Sequence, residues 1–238
     1  MQEKKERIAK VIAASGLCSR RDAEKLIQER KVSVNGVILE TPACLVGQGD
    51  RILVNGQALK KESSPRLWCY HKPVGLVTTH KDPAGRPTVF GALPKNLPRV
   101  ISVGRLDVNS EGLLLLTTSG ALAHQLEHPT TALPRTYRVR VFGHIPEDMI
   151  MRLKKGITIE GIRYGACQCE VESSSGKNTW LKLVLAEGKN REIRHLLGYF
   201  GLKIARLIRV SYGPFILGDL PKGQVREVPR ERLKKCGL

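Results

Sequence analysis

The chain has 238 residues, of which 41% are hydrophobic, and its 40 Lys and Arg outnumber its 22 Asp and Glu to give a formal net charge of +18. This hydrophobic fraction can bury the core of one or two domains, which excludes a chain that is only a basic disordered tail. The excess of positive charge favours a polyanion, above all nucleic acid, as the first partner to consider.

The composition also predicts the cellular compartment. Residues 1–10 are mostly polar and charged, and no purely aliphatic run is longer than Leu113–Leu116, so neither a signal peptide nor a membrane span is expected. The six cysteines are too few and too scattered for a disulfide framework in a chain of this length, so we expect them to be reduced. A cytoplasmic protein with no membrane partner is therefore expected.

Residues 6–59 predict a small module of two short helices followed by strands. The apolar stripe of the first helix ends at Gly16, a residue that readily takes the left-handed conformation at a helix end. Ser19-Arg-Arg-Asp22 has the Ser-x-x-acid pattern that caps the start of a helix. Asn35-Gly36 between apolar runs predicts a hairpin, and Asn55-Gly56 forms a second such pair.

Three segments of this module together resemble the S4 RNA-binding domain: Gly16-Leu-Cys-Ser-Arg-Arg-Asp-Ala23, Val32-Ser-Val-Asn-Gly36 and Gly49-Asp-Arg-Ile52. The second helix and the following loop face structured RNA in that family. The resemblance therefore implies RNA contacts for the cations at these positions, which are Arg20, Arg21, Lys25, Arg30 and Lys31. A charged face that is merely solvated is the alternative. S4 modules accompany many activities, so the resemblance indicates a ligand class and no reaction.

A larger α+β domain is expected after the polar, Pro-containing segment Lys60–Arg66, which has no apolar periodicity. The expected boundaries are 1–60 for the S4-like module, 61–66 for a linker and 67–238 for a domain built on a mainly antiparallel sheet. The basic ending Arg230–Leu238 is expected to be an RNA contact or a disordered tail, and its composition favours the tail. The apolar runs predict strands at 75–78, 99–103, 113–117, 136–141, 179–185 and 203–210, and the predicted helices are 121–128, 146–155 and 190–200.

The segment Val103–Leu113 places Asp107 close to Arg105 on a turn bounded by glycines in a strongly cationic chain. Such a carboxylate suggests chemistry on nucleic acid, although an Asp that only caps its own turn is the alternative. In the last predicted helix, which Asn190 can cap, Arg191 and Arg194 lie off the apolar stripe. They can face a cleft and pair with a carboxylate, but sequence spacing alone does not bring them to Asp107.

Four motifs in residues 67 to about 220 resemble the RsuA-type pseudouridine synthases that act on ribosomal RNA. They are His71–Thr79, Gly104–Thr117, Arg135–Val139 and Glu187–Arg194. The family breaks the bond between uracil N1 and ribose C1′, turns the bound base and rejoins it through C5. The resemblance implies that no cofactor is needed.

The resemblance also implies roles for individual residues. Asp107 would act on the ribose, either as a nucleophile at C1′ or as a base that removes the 2′ proton, and both roles require an ionised carboxylate. A nearby guanidinium favours that form, so Arg194 is the candidate partner and Arg191 the less favoured alternative. Arg105 would enter the space left by the extruded uridine, and Tyr137 would stack on the base. An ordinary strand aromatic is the alternative for Tyr137.

The substrate is expected to be ribosomal RNA, either free or in a ribosome assembly intermediate. The ending Leu207–Pro214 favours the large-subunit enzymes over the small-subunit ones, so 23S RNA is expected and 16S RNA is the alternative. A noncatalytic RNA-binding factor for ribosome assembly is the rival hypothesis, and a monomer is the simplest expectation. No metal is expected: His124–His128 has Gln125 where zincins need Glu, and Cys167-Gln-Cys169 lacks a second cysteine pair.

Overall fold

The computed structural model describes residues 5–59 and 64–238. Residues 1–4, at the start of the predicted first module, and residues 60–63, in the predicted linker region, lie outside this part of the chain. The protein forms two compact units. The first contains the described residues up to Arg66 together with Lys95–Ile101 and Thr118–Gly120, and the second contains the remainder.

The first unit combines two helices with two small sheets. Its elements are β1 (Glu6–Arg7), α1 (Ile8–Ala14), α2 (Arg20–Gln28), β2 (Val32–Val34), β3 (Val37–Ile38), β4 (Leu45–Val46), β5 (Ile52–Val54) and β6 (Gln57–Ala58). The strand β1 pairs with β4, and the other strands form a sheet in the order β3-β2-β5-β6. The apolar faces of α1 and α2 pack with strand residues in one core, which contains Ile8, Ile12, Ala23, Ile27, Val32, Val46 and Val54.

The local signals of the first unit are confirmed. Gly16 follows α1 with φ +82°, and the backbone N–H of Asp22 donates to Ser19 Oγ at 3.1 Å at the start of α2. Asn35 and Gly36 have φ values of +52° and +86° in the β2–β3 hairpin. These features depend on residues that are close in sequence, which is why the pattern alone predicts them.

The remaining elements belong to the larger part of the fold. They are β7 (Leu67–Lys72), β8 (Ile101–Val103), β9 (Glu111–Thr117), α3 (Gly120–Glu127), β10 (Arg135–Phe142), α4 (Met149–Lys155), β11 (Ile157–Ile159), β12 (Ile162–Tyr164), β13 (Cys167–Ser175), β14 (Asn178–Leu185), α5 (Glu192–Tyr199), β15 (Lys203–Tyr212), β16 (Phe215–Ile216), β17 (Val225–Glu227) and α6 (Arg230–Lys235). Among the described residues, no helix is both long and apolar enough to cross a bilayer.

A nine-stranded sheet organises the second unit. Its main path runs β13-β14-β10-β15-β9-β7-β17, while β16 pairs with β15 and β8 with β9. Along this path every pair is antiparallel except β15 with β9. The predicted α+β class with a mainly antiparallel sheet is confirmed. Cys167 and Cys169 alternate along β13, and both side chains are buried.

Two element predictions in the second unit are wrong. Residues 75–78 form no strand: Gly75 has φ +90°, and only an isolated bridge joins Val77 to Thr88. The last predicted helix starts later than its Asn190 cap implies, because Arg191 adopts a left-handed conformation with φ +50° before α5 begins at Glu192. In both places the chain bends where the local apolar pattern predicts a regular element.

The expectation of a disordered basic tail after residue 230 is also wrong. Residues Arg230–Lys235 form α6, in which the Leu233 side chain is buried. Arg232 Nη2 donates to the Pro214 carbonyl at 2.8 Å. Burial of Leu233 and the hydrogen bond from Arg232 stabilise this helix, although the segment is rich in positive charge.

Candidate active site

The segment between β8 and β9 forms a loop that holds Asp107 beside a cavity of about 320 Å³. A turn closes the loop where the backbone N–H of Ser110 donates to the Asp107 carbonyl at 3.0 Å. The N–H of Gly104 donates to Glu127 Oε1 at 2.5 Å and fixes the beginning of the loop. The catalytic candidate therefore lies on a constrained turn at a concave surface.

Asp107 and Arg194 form an ion pair, although 87 positions separate them in the chain. Arg194 Nε donates to Asp107 Oδ2 at 3.3 Å, and its Nη2 donates to the Asn109 carbonyl at 3.1 Å. The side chains are 19% exposed for Arg194 and 32% exposed for Asp107. The guanidinium thus contacts both the carboxylate and the backbone of its loop, while the carboxylate stays accessible from the cavity.

Lys72 is a supporting residue to which sequence reasoning assigned no role. Its ammonium group is buried below the loop and donates to the carbonyls of Asp107, Ser110 and Pro73 at 3.1, 2.8 and 2.9 Å. Burial lowers the pKa of Lys72 to about 8, against the opposing effect of the Asp107 and Glu111 carboxylates. The available signal was a lysine at the end of β7, after the apolar run Leu67–Tyr70 and directly before Pro73.

The segment after β7 holds the other side of the same loop. Thr78 Oγ1 donates to the Leu106 carbonyl at 2.8 Å and accepts from the Leu106 N–H at 3.3 Å. The Gly75 N–H donates to the Val108 carbonyl at 2.7 Å. The irregular backbone of residues 75–78 therefore supports the loop that carries Asp107, which gives a reason for the missing strand.

Glu111, the next carboxylate along the chain, has a structural environment of its own. It is 2% exposed and forms ion pairs with Arg206 and with Lys222, the latter at 2.6 Å. Burial alone would raise the pKa of Glu111, but the contacts with Arg206 and Lys222 outweigh burial and hold this pKa below its ordinary value. Asp107, by contrast, faces the cavity, so the two carboxylates do not compete for one role.

The other predicted active-site residues line the same cavity. Tyr137 lies on β10 and is 9% exposed, whereas Arg105 is exposed at the loop. Arg191 also lines the cavity, but the ion pair with Asp107 is made by Arg194. The structure thus brings Asp107, Arg105, Tyr137 and Arg194 together and distinguishes the two arginines.

The inner wall of the cavity contains residues that sequence reasoning did not select. Arg135 donates to the Ala186 carbonyl at 2.6 Å and to the Tyr212 hydroxyl at 2.8 Å. Glu192 is buried and accepts from the Lys189 N–H at 3.0 Å; burial raises its pKa. Arg209 lies on β15 and lines the cavity. The sequence pattern of this strand does not indicate that Arg209 faces a cavity.

The cations predicted to bind RNA in the first unit are all exposed. Lys31 pairs with Glu29 at 2.6 Å, and Arg30 pairs with Glu40. In the part of the chain that the structure describes, no carboxylate lies within ion-pair distance of the remaining three, which are Arg20, Arg21 and Lys25. These three belong to α2 and form a basic surface, named here the α2 basic face.

Comparison with known proteins identifies both units. The RNA pseudouridylate synthase profile matches residues 66–198, and the S4 domain profile matches residues 6–52. An uncharacterized RNA pseudouridine synthase of Rickettsia prowazekii is 48% identical over 96% of this chain and 97% of that protein. The ribosomal large subunit pseudouridine synthase B of Yersinia pestis is 42% identical over 93% of this chain and 70% of that protein.

A solved structure agrees with these sequence matches. The crystal structure of a pseudouridylate synthase has a TM-score of 0.69 and 25% sequence identity, and the alignment covers 96% of this chain and 98% of that one. The loop that carries Asp107, the partner Arg194 and most of the cavity wall lie within the matched residues 66–198. With its N-terminal S4 domain, the chain belongs to the RNA pseudouridylate synthase family.

Proposed function

We propose that this protein isomerises a uridine of large-subunit ribosomal RNA to pseudouridine, with Asp107 as the catalytic carboxylate. The observation that carries the proposal is the Asp107–Arg194 ion pair on a braced loop at the cavity. The relative from Yersinia pestis, named for the large ribosomal subunit, favours that RNA over the small-subunit RNA.

Each predicted residue has a place in this reaction. Arg194 orients the Asp107 carboxylate, and Asp107 attacks ribose C1′ or removes the 2′ proton. Tyr137 stacks on the extruded base from the cavity wall, and Arg105 enters the space that the base leaves in the RNA. The product is an isomer of the substrate, so the net reaction needs neither an oxidant nor a cofactor.

The two parts of the chain divide the work in this proposal. Residues 1–60 hold structured RNA through Arg20, Arg21, Lys25, Arg30 and Lys31, residues 61–66 link the parts, and residues 67–238 perform the chemistry. The protein acts as a monomer in the cytoplasm, without a membrane partner, on free ribosomal RNA or on an assembly intermediate.

The test is release of tritium from ribosomal RNA that carries 5-tritiated uridine, because C5 loses its hydrogen when it joins ribose. We expect release by the native protein and none by Asp107→Asn, which keeps the size of the side chain but removes its charge. RNA affinity of this variant should stay within about threefold, since one uncharged loop residue leaves the phosphate contacts intact. Large- and small-subunit RNA are compared side by side, both free and within isolated subunits.

Each result has a distinct meaning. Release from small-subunit RNA alone would reassign the substrate. Release by Asp107→Asn at the native rate would remove Asp107 from the chemistry. Tight binding without release from any RNA would favour the rival hypothesis, a noncatalytic factor for ribosome assembly.

A further inference from the structure

Arg209 occupies the centre of the sheet, directly beside the residue proposed to hold the base. The strand register places Arg209 opposite Tyr137 on β10 and opposite Gly112 on β9. Arg209 lines the cavity and is 3% exposed. A cation is therefore built into the wall of the cavity between the strand of Tyr137 and the strand that follows the Asp107 loop.

The Arg209 guanidinium is held in a fixed position. Its Nε donates to the Leu113 carbonyl at 2.7 Å, and its Cζ lies 5.3 Å from the centre of the Tyr212 ring. Gly112 permits this close packing: it has φ +108°, and a Cβ there would lie 2.3 Å from the Arg209 carbonyl oxygen. The close approach of the β9 and β15 backbones at this point thus depends on glycine.

The same guanidinium has unused hydrogen-bonding capacity. Within residues 5–59 and 64–238, Arg209 Nη2 is buried and has no hydrogen-bond partner, and no carboxylate pairs with Arg209. The other arginines in this wall differ: Arg194 pairs with Asp107, and Arg135 contacts carbonyls and the Tyr212 hydroxyl. A buried, incompletely paired cation is costly, so its position next to a binding cavity points to a ligand with negative charge.

The low exposure of Arg209 indicates which part of the RNA can reach it. Arg209 is less exposed than the side chains of Asp107 and Arg194, which are 32% and 19% exposed. The RNA backbone and its phosphates stay near solvent, whereas an extruded base enters the cavity beyond the ribose. The group that reaches Arg209 is therefore the uracil ring, whose O2 and O4 carbonyls accept hydrogen bonds.

The proposed isomerisation creates negative charge on this ring. The N1–C1′ bond breaks and leaves its electron pair on N1, while an Asp107 oxygen bonds to C1′ or takes the C2′ proton. The detached uracil is then an anion, with its charge spread over N1, O2 and O4. When C5 bonds to C1′, Asp107 is released or returns its proton to C2′, C5 loses a proton to solvent and N1 gains one.

We infer that the Arg209 guanidinium stabilises the detached uracil anion, a role that rests on the proposed function. A preorganised buried donor is most effective where charge develops during the reaction, because it needs no rearrangement at that moment. Arg209 is thus a further catalytic residue, distinct from Asp107, which acts on the ribose, and from Arg194, which orients Asp107.

The first test compares Arg209→Gln and Arg209→Lys with the native protein by single-turnover tritium release. Loss of one such donor lowers the rate by roughly 10² to 10³-fold, so we expect this loss for Arg209→Gln and a smaller one for Arg209→Lys, which keeps the charge. Binding of the same RNA should stay within about threefold, because the phosphate contacts are unchanged. Lys203→Gln, at the exposed start of β15, is the matched control and should keep the native rate.

The outcomes separate this inference from the proposed function. If the native protein releases tritium and folded Arg209→Gln does so at a similar rate, only the inference is overturned. A parallel loss of rate and RNA affinity would also overturn it, since that result assigns Arg209 to phosphate binding. If the native protein releases no tritium from any RNA, the proposed function and the inference both fail.

A second measurement keeps Arg209 intact and does not depend on the folding of its variants. The structure of Asp107→Asn bound to substrate RNA should show a guanidinium nitrogen within about 3.2 Å of uracil O2 or O4. A bound base whose two carbonyls both lie more than about 6 Å from the guanidinium would contradict the inference, because direct charge stabilisation acts over a shorter range.

Discussion

The α2 basic face and the catalytic cavity use positive charge in opposite ways. Arg20, Arg21 and Lys25 are exposed on one short helix, where they are free to adapt to an RNA surface. In the catalytic unit, backbone carbonyls instead hold Lys72 against the Asp107 loop and Arg209 in the cavity wall, and both residues are buried. Exposed cations can raise the affinity for RNA without a fixed position. Catalysis requires charged groups that are already held in the right geometry.

A large effect on the rate, with little effect on RNA affinity, is expected when Arg194 is replaced. Arg194→Met removes the ion pair with Asp107 and the hydrogen bond to the Asn109 carbonyl, so the carboxylate loses its orientation. Misplacement of a reacting group by about 1 Å costs on the order of 10²-fold in rate, and we expect a loss of that size in single-turnover tritium release. RNA affinity should change little.

Arg191→Met is the comparison variant for Arg194. It removes the same charge from the same cavity wall, but Arg191 makes no ion pair with Asp107 within the described residues. We expect a smaller loss of rate than for Arg194→Met. Equal losses would mean that the net charge of the cavity matters and that the specific pair does not.

An intermediate effect is expected at Lys72, which braces the loop of Asp107. Because the pKa of Lys72 falls to about 8 from an ordinary value of 10.5, the folded protein releases this proton at a lower pH than the unfolded chain does. Keeping this buried group charged therefore lowers the unfolding free energy by its full amount below pH 8. This destabilisation diminishes as the pH rises toward 10.5.

Lys72→Met removes this pH dependence. Between about pH 7.5 and pH 9.5, the difference in unfolding free energy between native protein and Lys72→Met should shift in favour of the native protein by on the order of 1–2 kcal/mol. Urea unfolding at both pH values measures the shift. Lys182→Met, which removes an exposed lysine paired with Glu170, should show no such change. A pH-independent difference for Lys72→Met would contradict the depressed pKa.

The smallest effect is expected on the α2 basic face. The double variant Arg20→Gln with Arg21→Gln should weaken RNA binding and reduce the slope of log affinity against log salt by about 0.7–0.9 for each phosphate that the protein no longer neutralises. Filter binding over a range of salt concentrations measures both quantities. The rate at saturating RNA should remain close to native, because neither residue lines the cavity.

A matched double variant controls for net charge. Lys154→Gln with Lys155→Gln removes the same two charges from the exposed end of α4. An equal change of slope in both double variants would show that total charge determines binding. That result would contradict a specific RNA-binding role for the α2 basic face.

The sequence predictions are most accurate where a feature depends on residues that are close together in the chain. The Ser19 cap and the Asn35-Gly36 hairpin are confirmed, since each depends on residues within one turn. The prediction for residues 75–78 is wrong because a tertiary contact overrides the local pattern: the Gly75 N–H donates to the Val108 carbonyl in the Asp107 loop. The prediction of an Asn190 cap is wrong because Arg191 takes a left-handed conformation and turns the chain before α5.

Composition and local pattern were sufficient to establish the class of partner, the α+β class and the order of the family motifs. Charge, periodicity and short motifs depend on neighbouring residues, so no three-dimensional information is needed to read them. The folded chain was needed to establish that Arg194 pairs with Asp107, that Lys72 braces the loop and that Arg209 Nη2 has no partner among the described residues. These relations depend on the placement of β9 between β7 and β15, a choice of strand order that no local pattern encodes.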